Sequence, residues 1–109
     1  MAGVMRGDVC LYRFAPPDKV RPVLILTRDD IIPYLTNVTI APITSPIREV
    51  PSEVVLEIED GMKSRCVVNL QNIQTIRQAQ LGKRVARLNT QRMIEVCSAL
   101  SFSLGCDSH

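Results

Sequence analysis

Two long runs of apolar residues dominate the first half of the chain and predict a pair of buried β-strands. The runs are Pro22–Thr27 (PVLILT) and Val38–Ile43 (VTIAPI), and both are rich in aliphatic and β-branched residues, which favours strand over helix. Because the apolar residues run almost without interruption, both faces of each strand are expected to be buried. The eight residues between Arg28 and Asn37 are too few for the helical crossover of a parallel pair, so we predict an antiparallel pair.

The short connection also suggests how the two strands align. If Arg28 pairs with Asn37, counting outward places Arg21 opposite Thr44. This register is an assumption, and a shift by one residue would move every side chain to the other face. In this register a guanidinium and a hydroxyl meet at the open end of an apolar strand pair, an arrangement that suits a phosphate group.

Weaker patterns along the rest of the chain predict a mainly β, α+β fold. Five further strands are expected over Arg6–Phe14, Glu53–Ile58, Ser64–Asn69, Ile73–Arg77 and Arg84–Leu88. Thr90–Leu104 has apolar residues at three- and four-residue spacing and predicts the one long helix, with Gly105 as its C-terminal cap. Short strands at close spacing with a C-terminal helix indicate a small, strongly curved antiparallel sheet or barrel with helices outside it.

Three short helical turns are predicted between these strands. The first follows Asp29-Asp30 and ends near Pro33, and the second begins at Ser45-Pro46, where Ser would be the N-cap and Pro the first helical residue. The third is a turn or short helix over Ala79–Lys83. Each is expected to be no more than a connection within the sheet.

Composition indicates one globular domain spanning residues 1–109. Apolar residues make up 46% of the chain, charged residues 22%, and there is no Trp among its four aromatic residues, so Val, Ile and Leu must build the core. Arg6 and Asp8 lie where a secretory signal would be apolar, and the uncharged run Ile31–Ile47 contains three prolines. We therefore expect a cytoplasmic protein without a membrane span. The net charge of +2 is only weak evidence for an anionic partner.

The four cysteines and the single histidine argue against several kinds of chemistry. Cys10, Cys66, Cys97 and Cys106 form no CxxC motif, and the only histidine is the last residue, His109. We expect reduced thiols, three of them in the core, with no metal site and no cofactor. Without an internal His, a Ser-His-Asp triad and a paired-His nuclease site are both excluded in practice. The candidate chemistry that remains is Arg together with hydroxyl groups, because Arg can bind two oxygens of a phosphate at once.

The order of several short motifs resembles the MazF/PemK family of toxin endoribonucleases. The motifs are RGDV, VRPVLIL, VTIAPITS, PSEVVLEIEDGM and SRCVVNLQNIQTI, followed by a closing helix that ends in LG, over roughly residues 5–105. No single motif is specific, but their order and spacing together are fairly specific. The resemblance implies a homodimer of SH3-like barrels, the toxin of a type II toxin–antitoxin system. Its implied partners are single-stranded RNA (mRNA) and a cognate antitoxin, which we expect to have an acidic, disordered tail.

The resemblance also implies the chemistry and the site. In this family the ribose 2′-hydroxyl attacks the adjacent phosphate without a metal ion, which gives a 2′,3′-cyclic phosphate and a 5′-hydroxyl. The Arg of the family's RP motif and the Thr of its ITS motif fall on Arg21 and Thr44, the pair that the strand register brings together. These two are the candidate catalytic residues, and Ser45 is expected to help Thr44.

The loop before the RP motif departs from the family pattern. Many relatives have a longer loop, and in some a Glu or His in it takes part in the chemistry; here it is APPDKV, with Asp18 and Lys19 at the candidate positions. Another branch uses an Arg and an Asp where this chain has Asn69 and Gln71. The general base is therefore unassigned. Lys19, Asn69 and Gln71 are kept with Ser45 as candidate RNA-binding residues, since amides can read base edges.

Two other functions stay open at this point. One is a protein-binding toxin of the same fold that resembles the gyrase poison CcdB, although this chain lacks the aromatic C-terminal tip of that family. The other is a non-catalytic RNA-binding small barrel. Tyr12, Phe14 and Tyr34 could stack on bases, but at least two of them are expected in the core, and Arg6 and Asp8 are expected to form an ion pair.

Overall fold

The computed structural model describes residues 3–16 and 19–106, which form seven β-strands and one α-helix. The strands are β1 (Asp8–Arg13), β2 (Val20–Ile25), β3 (Asn37–Thr44), β4 (Glu53–Leu56), β5 (Cys66–Asn69), β6 (Gln74–Arg77) and β7 (Arg84–Arg87), and the helix is α1 (Thr90–Leu104). Three 3₁₀ turns connect them, at Ile32–Tyr34, Ile58–Asp60 and Gln78–Gln80. All strand pairs are antiparallel, which confirms the predicted mainly β fold with one long C-terminal helix.

The strands form one curved half-barrel sheet in the order β4-β5-β3-β2-β1-β7, and β6 pairs with β3. β3 is the central strand, because one of its edges pairs with β2 while the other pairs first with β6 and then with β5. The β2–β3 register joins Val23 to Pro42, Leu24 to Ala41 and Ile25 to Ile40. These pairs confirm the predicted register. Two residues further outward from Val23 and Pro42, the same register sets Arg21 opposite Thr44.

β2 and β3 are buried on both faces, as their uninterrupted apolar runs predicted. Alternate residues point to two separate hydrophobic cores. The larger core includes Leu24, Ala41 and Ile43 and extends to the inner face of α1 at Val96 and Ala99. The smaller core consists of Val23, Ile25, Ile32, Val38, Ile40 and Ile76, with Tyr12 and Phe14 packed against it. The β2–β3 pair is thus the wall between the two cores.

Helix α1 begins and ends where the sequence predicted. The Asn89 side chain accepts a hydrogen bond from the backbone N–H of Arg92 (2.8 Å) at the N-terminus. Gly105 has φ 74° and donates its backbone N–H to the carbonyl oxygens of Ser101 and Phe102 at the C-terminus. Among the described residues, α1 included, no helix has the length and apolar character needed to cross a membrane.

Two of the predicted helical turns differ in the structure. The first starts later, at Ile32, and contains Pro33 within it, since proline fits the first turn of a helix. The turn expected after Ser45-Pro46 is wrong, because residues 46–50 adopt no regular structure. Pro51 closes this segment, and Glu49 has a positive φ of 57°, which a right-handed helix does not allow.

The prediction that three cysteines lie in the core is also wrong. Cys10 and Cys66 are buried, whereas Cys97 and Cys106 are exposed, and all four are free. Burial raises the pKa of the Cys10 and Cys66 thiols, and neighbouring carboxylates raise it further, so both stay protonated and pack as small apolar groups.

Asp8 pairs with β7 instead of forming the predicted ion pair with Arg6. Its carboxylate is almost fully buried and accepts from Arg87 Nε (2.7 Å), with Arg84 Nη1 at 3.7 Å. Arg6 instead donates to the carbonyl oxygen of Leu26 (3.0 Å). A buried carboxylate needs a nearby cation, and the antiparallel pairing of β1 with β7, which sets Asp8 opposite Arg87, supplies one.

A second ion pair fixes the 3₁₀ turn at residues 58–60 to α1. Asp60 Oδ1 accepts from Arg92 Nε (3.0 Å), and Asp60 Oδ2 accepts from the backbone N–H of Glu57 (2.8 Å). Partial burial raises the pKa of Asp60, but the hydrogen bonds from Arg92 and Glu57, with the charge of Arg92, outweigh it and hold the pKa below its ordinary value. Asp60 is therefore charged at neutral pH and links the two elements.

Asp60→Ala should lower the free energy of unfolding at pH 7 by about 1.5–3 kcal/mol, because it removes charged hydrogen bonds from a nearly buried position. A lowered carboxylate pKa contributes stability above the unfolded-state pKa, which is lost as the pH falls through the folded-state pKa. The difference from wild type in urea unfolding should therefore shrink when the pH falls below about 4. Glu59→Ala, an exposed neighbour, is the control. An equal loss for both variants at pH 7 would contradict the assignment.

Candidate active site

Arg21 and Thr44 lie where the smaller core ends. Side chains alternate along a strand, so Arg21 shares the face of Val23 on β2, and Thr44 shares the face of Ile40 on β3. The apolar face continues as far as Pro42 and then gives way to these two polar side chains, both half-buried. The same alternation that builds the core therefore delivers a guanidinium and a hydroxyl to its open end.

Arg21 and Thr44 form a ridge between two clefts, since both residues line each cleft. The first, which we call the amide cleft, has a volume of about 480 Å³ and is lined by Phe14, Arg21, Pro42, Thr44, Gln71, Asn72, Ile73 and Gln74. The second, which we call the apolar cleft, has a volume of about 510 Å³. An extended ligand that crosses the ridge would have one group in each cleft.

The two clefts differ in chemistry. The amide cleft carries three carboxamides and one aromatic ring. The apolar cleft is lined mainly by aliphatic side chains together with a few polar residues: Leu11, Val20, Pro22, Ile43, Met62, Cys66 and Val85, with Ser45, Gly61, Lys63 and Ser64. One side of the ridge thus offers hydrogen bonds to a ligand, and the other side offers mainly van der Waals contact.

The positive charge of the ridge is not balanced by a carboxylate of any described residue. None of the ion pairs there includes Arg21, and no described Asp or Glu lines either cleft. Lys63 adds a second cation to the apolar cleft. By contrast, Arg87 and Arg92 are each paired with a nearly buried carboxylate. A phosphate at the ridge would meet cations without a competing anion.

The structure brings some of the predicted site residues together and separates others. Gln71 lines the amide cleft and Ser45 the apolar cleft, and both are exposed. Lys19 is exposed just before β2 but lines neither cleft. Asp18 lies outside the described residues.

Asn69 does not present its amide to a ligand. The residue is buried, and its Oδ1 accepts the backbone N–H of Gln71 (2.9 Å). This bond makes a tight turn after β5, and the turn sends Gln71 and Asn72 toward the amide cleft. Asn69 therefore supports the site from behind instead of lining it.

No pattern in the sequence indicates that Lys63 and Ser64 belong to the site. They follow the turn that ends at Gly61, and only the packing of that turn against β7 brings them near Arg21. A Cβ on Gly61 would lie 2.9 Å from Cβ of Ala86, so the close contact requires glycine. A glycine after two acidic residues was the only local signal, and it predicts a turn but no partner.

Comparison with known proteins identifies the family. The family model described as "PemK-like, MazF-like toxin of type II toxin-antitoxin system" matches residues 5–104. The probable endoribonuclease MazF5 of Mycobacterium tuberculosis is 41% identical over 102 residues, which cover 93% of each chain. Endoribonuclease MazF3 of the same organism is 39% identical over 90 residues, 83% of this chain and 87% of that one.

The fold agrees with the sequence match. The solved structure of Mycobacterium tuberculosis toxin MazF-mt6 superposes with a TM-score of 0.82 at 35% identity, covering 90% of this chain and 96% of the other. The match therefore spans the curved sheet, the ridge and α1 together. The chain belongs to the PemK-like, MazF-like family of toxins of type II toxin–antitoxin systems.

Proposed function

We propose that this chain is an endoribonuclease toxin that cleaves single-stranded RNA, mRNA included, without a metal ion. Relatives 39% and 41% identical over most of the chain are named as endoribonucleases, which supports this activity over a CcdB-like poison or a non-catalytic RNA-binding barrel. The observation that carries the proposal is the Arg21–Thr44 ridge, which lies between two clefts that no described Asp or Glu lines.

The proposed reaction is an intramolecular transfer at phosphorus. The ribose 2′-oxygen forms a new bond to the adjacent phosphorus as its proton leaves, and the bond from phosphorus to the 5′-oxygen breaks. The 5′-oxygen takes up a proton, so the products are a 2′,3′-cyclic phosphate and a 5′-hydroxyl. Negative charge builds on the non-bridging oxygens in between, and donors aimed at that charge accelerate the reaction.

Arg21 and Thr44 are the proposed donors. The planar guanidinium of Arg21 can bind two phosphate oxygens at once and stays protonated at any relevant pH. The hydroxyl of Thr44 can donate to a non-bridging oxygen. Both start from strand positions with a fixed register, so they need little reorganisation during the reaction. The general base stays unassigned, and its candidates are Asp18 and Lys19, which precede β2 in the sequence.

The remaining proposed RNA contacts surround the ridge. Ser45 and Gln71 line its two sides, and Lys19 can attract the RNA backbone from the start of β2. Asn69 contributes by holding the turn that presents Gln71. We propose that residues 1–109 act as one toxin domain in the cytoplasm, where the mRNA substrate is found and where its four free thiols are expected to stay reduced.

Wild-type protein should cleave a long single-stranded RNA in the presence of EDTA, and Arg21→Ala should lower the rate roughly 100- to 1000-fold, the usual effect of losing one such donor. Arg21→Lys should restore only part of the rate, because an ammonium group cannot bind two oxygens in a plane. Thr44→Ala should lose less than Arg21→Ala, and Thr44→Ser less still. Gel analysis of end-labelled RNA, with tests for cyclic phosphate and 5′-hydroxyl ends, measures both rate and products.

Arg28→Ala is a matched control for Arg21→Ala. Arg28 lies in the β2–β3 connection, beyond the end of β2 that is opposite to Arg21. Its exposed side chain pairs with Asp30 and with no other described residue, so its loss should leave cleavage and stability nearly unchanged. A folded Arg21→Ala protein that cleaves RNA at the wild-type rate would disprove the site assignment. Binding of RNA by wild type without any cleavage would favour the non-catalytic barrel.

We also propose that the toxin is a homodimer that uses the outer face of α1. Ile94, Phe102 and Leu104 are exposed on the helix, and no charged residue occurs from Val96 to Cys106. A cleft of about 500 Å³ extends from the helix onto Pro51 and the edge strand β4, and Glu53, Arg92 and Glu95 are among the residues that line it. Exposed apolar side chains beside a partly polar cleft are typical of a subunit interface, which combines apolar contacts with a polar rim.

Sedimentation at micromolar concentration should give a species of twice the 12.2 kDa chain mass. Phe102→Lys should shift it to the monomer, because a desolvated unpaired charge opposes association. Gln80→Lys, at an exposed position on the third 3₁₀ turn, should leave the dimer intact. A wild-type protein that sediments only at 12.2 kDa would contradict the dimer.

The cognate antitoxin is proposed to inhibit the toxin with an acidic, disordered tail. Arg21 and Lys63 lie on surfaces that no described Asp or Glu lines, so the charges that attract RNA also attract a carboxylate-rich segment. Such a segment gives up ordering entropy on binding but can cover both clefts. Tail and RNA would therefore compete for the ridge.

The antitoxin encoded beside the toxin gene should abolish RNA cleavage at equimolar concentration, and removal of its acidic tail should restore cleavage. The inhibition should weaken as the salt concentration rises, because exposed charges are screened. Competition between a fluorescent RNA and the antitoxin measures both effects. An antitoxin that binds tightly while cleavage continues would disprove the competition.

A further inference from the structure

Three side-chain amides in the amide cleft have no partner within the described residues. Gln71, Asn72 and Gln74 are exposed and line this cleft, and none of their amide groups takes part in the hydrogen bonds among those residues. Other amides are engaged: Gln78 donates to two backbone carbonyls, and Asn89 caps α1. The cleft amides therefore offer both donors and acceptors to a ligand.

The backbone that carries these amides is fixed in place. Gln74 is in β6 opposite Ile40, and Gln71 is held by Asn69 through its backbone N–H. Between them, Ile73 packs against the larger core. Amides on a segment held at both ends can discriminate between ligands, because a poorly matching ligand leaves their polar groups unpaired.

The cleft also contains an aromatic surface. Phe14 lines it, and Tyr12 supports the Phe14 ring edge-to-face, with ring centroids 4.9 Å apart and an interplanar angle of 85°. Both rings pack against the smaller core, which limits their movement. A fixed aromatic ring beside free amides is a combination that binds a nucleobase, since the ring contacts its face and the amides its edge.

The chemistry of the cleft also distinguishes among the bases. Guanine is usually read by Arg or Lys, and cytosine by a carboxylate that accepts from its amino group, whereas Asn and Gln pair with adenine. Among the described residues that line the amide cleft, Arg21 is the one cation, and it is assigned to the phosphate; none is a carboxylate. Of these three bases, adenine therefore matches the lining best.

Resting on the proposed function, we infer that the amide cleft is the specificity site of the enzyme. It holds the nucleobase directly beside the scissile phosphate and selects adenine through Gln71 and Gln74. In single-stranded RNA the base edges are free to be read in this way. The apolar cleft on the other side of the ridge, with few polar groups, would accept its base with less discrimination.

Two measurements test this inference. Sequencing of 5′-hydroxyl ends after digestion of a random RNA pool should show adenine enriched at one of the two positions that flank the cleaved bond. In the double variant Gln71→Ala/Gln74→Ala, the ratio of kcat/KM for RNAs with and without that adenine should fall roughly 5- to 150-fold, the discrimination expected of a bidentate amide–base pair. Preferences at other positions should stay unchanged.

Control variants separate selectivity from activity and folding. Gln80→Ala removes an exposed amide that lines neither cleft and should leave the adenine preference intact. Arg21→Ala should lower the cleavage rate at all sites alike and should also leave the preference intact. The inference is wrong if the double variant cleaves more slowly at every site with the same preference, or if a base other than adenine is enriched beside the cleaved bond. If wild type does not cleave RNA at all, the proposed function fails first and this inference with it.

Discussion

The β2–β3 pair is buried on both faces, and each face packs into a different hydrophobic core. Leu24 and Ala41 face the larger core, and Val23 and Ile40 face the smaller one. A shift of one residue between the strands would exchange the two sets of side chains, so two cores of different shape specify a single register. That register then fixes Arg21 opposite Thr44, and the packing of apolar side chains determines the geometry of the polar site.

The proposed catalytic donors, at the ends of such strands, have two advantages. The buried part of each strand holds the backbone still, while the end reaches solvent and leaves room for a substrate on either side of the ridge. The supporting contacts follow the same logic: Asn69 holds the Gln71 turn from the buried side, and Tyr12 holds Phe14. Preorganised groups of this kind lose little free energy to reorganisation when charge develops on the substrate.

Local patterns in the sequence were sufficient for the β2–β3 pair, its register and the complete helix α1, because strong apolar periodicity and cap residues determine them. They were insufficient where partners are distant in sequence. Asp8 pairs with Arg87, 79 residues away, instead of its neighbour Arg6, and Lys63 reaches the ridge only because Gly61 packs against β7. Asn69 was expected to bind RNA, but polarity alone could not reveal that its amide is committed to a turn. Ser45-Pro46 carries a helix-start signal, yet no apolar face follows that a helix could bury.

The distribution of charge explains why a net charge of +2 understates the attraction for an anion. Several cations are neutralised where they stand: Arg87 by Asp8, Arg92 by Asp60 and Arg65 by Glu57. A phosphate near any of these would have to compete with a carboxylate already in place. At the ridge, no described Asp or Glu lines either cleft. The positive potentials of Arg21 and Lys63 therefore add without cancellation, over the screening distance of about 8 Å at physiological salt. The folding of the sheet, which pairs these three cations with carboxylates and places Arg21 and Lys63 on clefts that no described Asp or Glu lines, thus gives a nearly neutral chain a localised anion-binding surface.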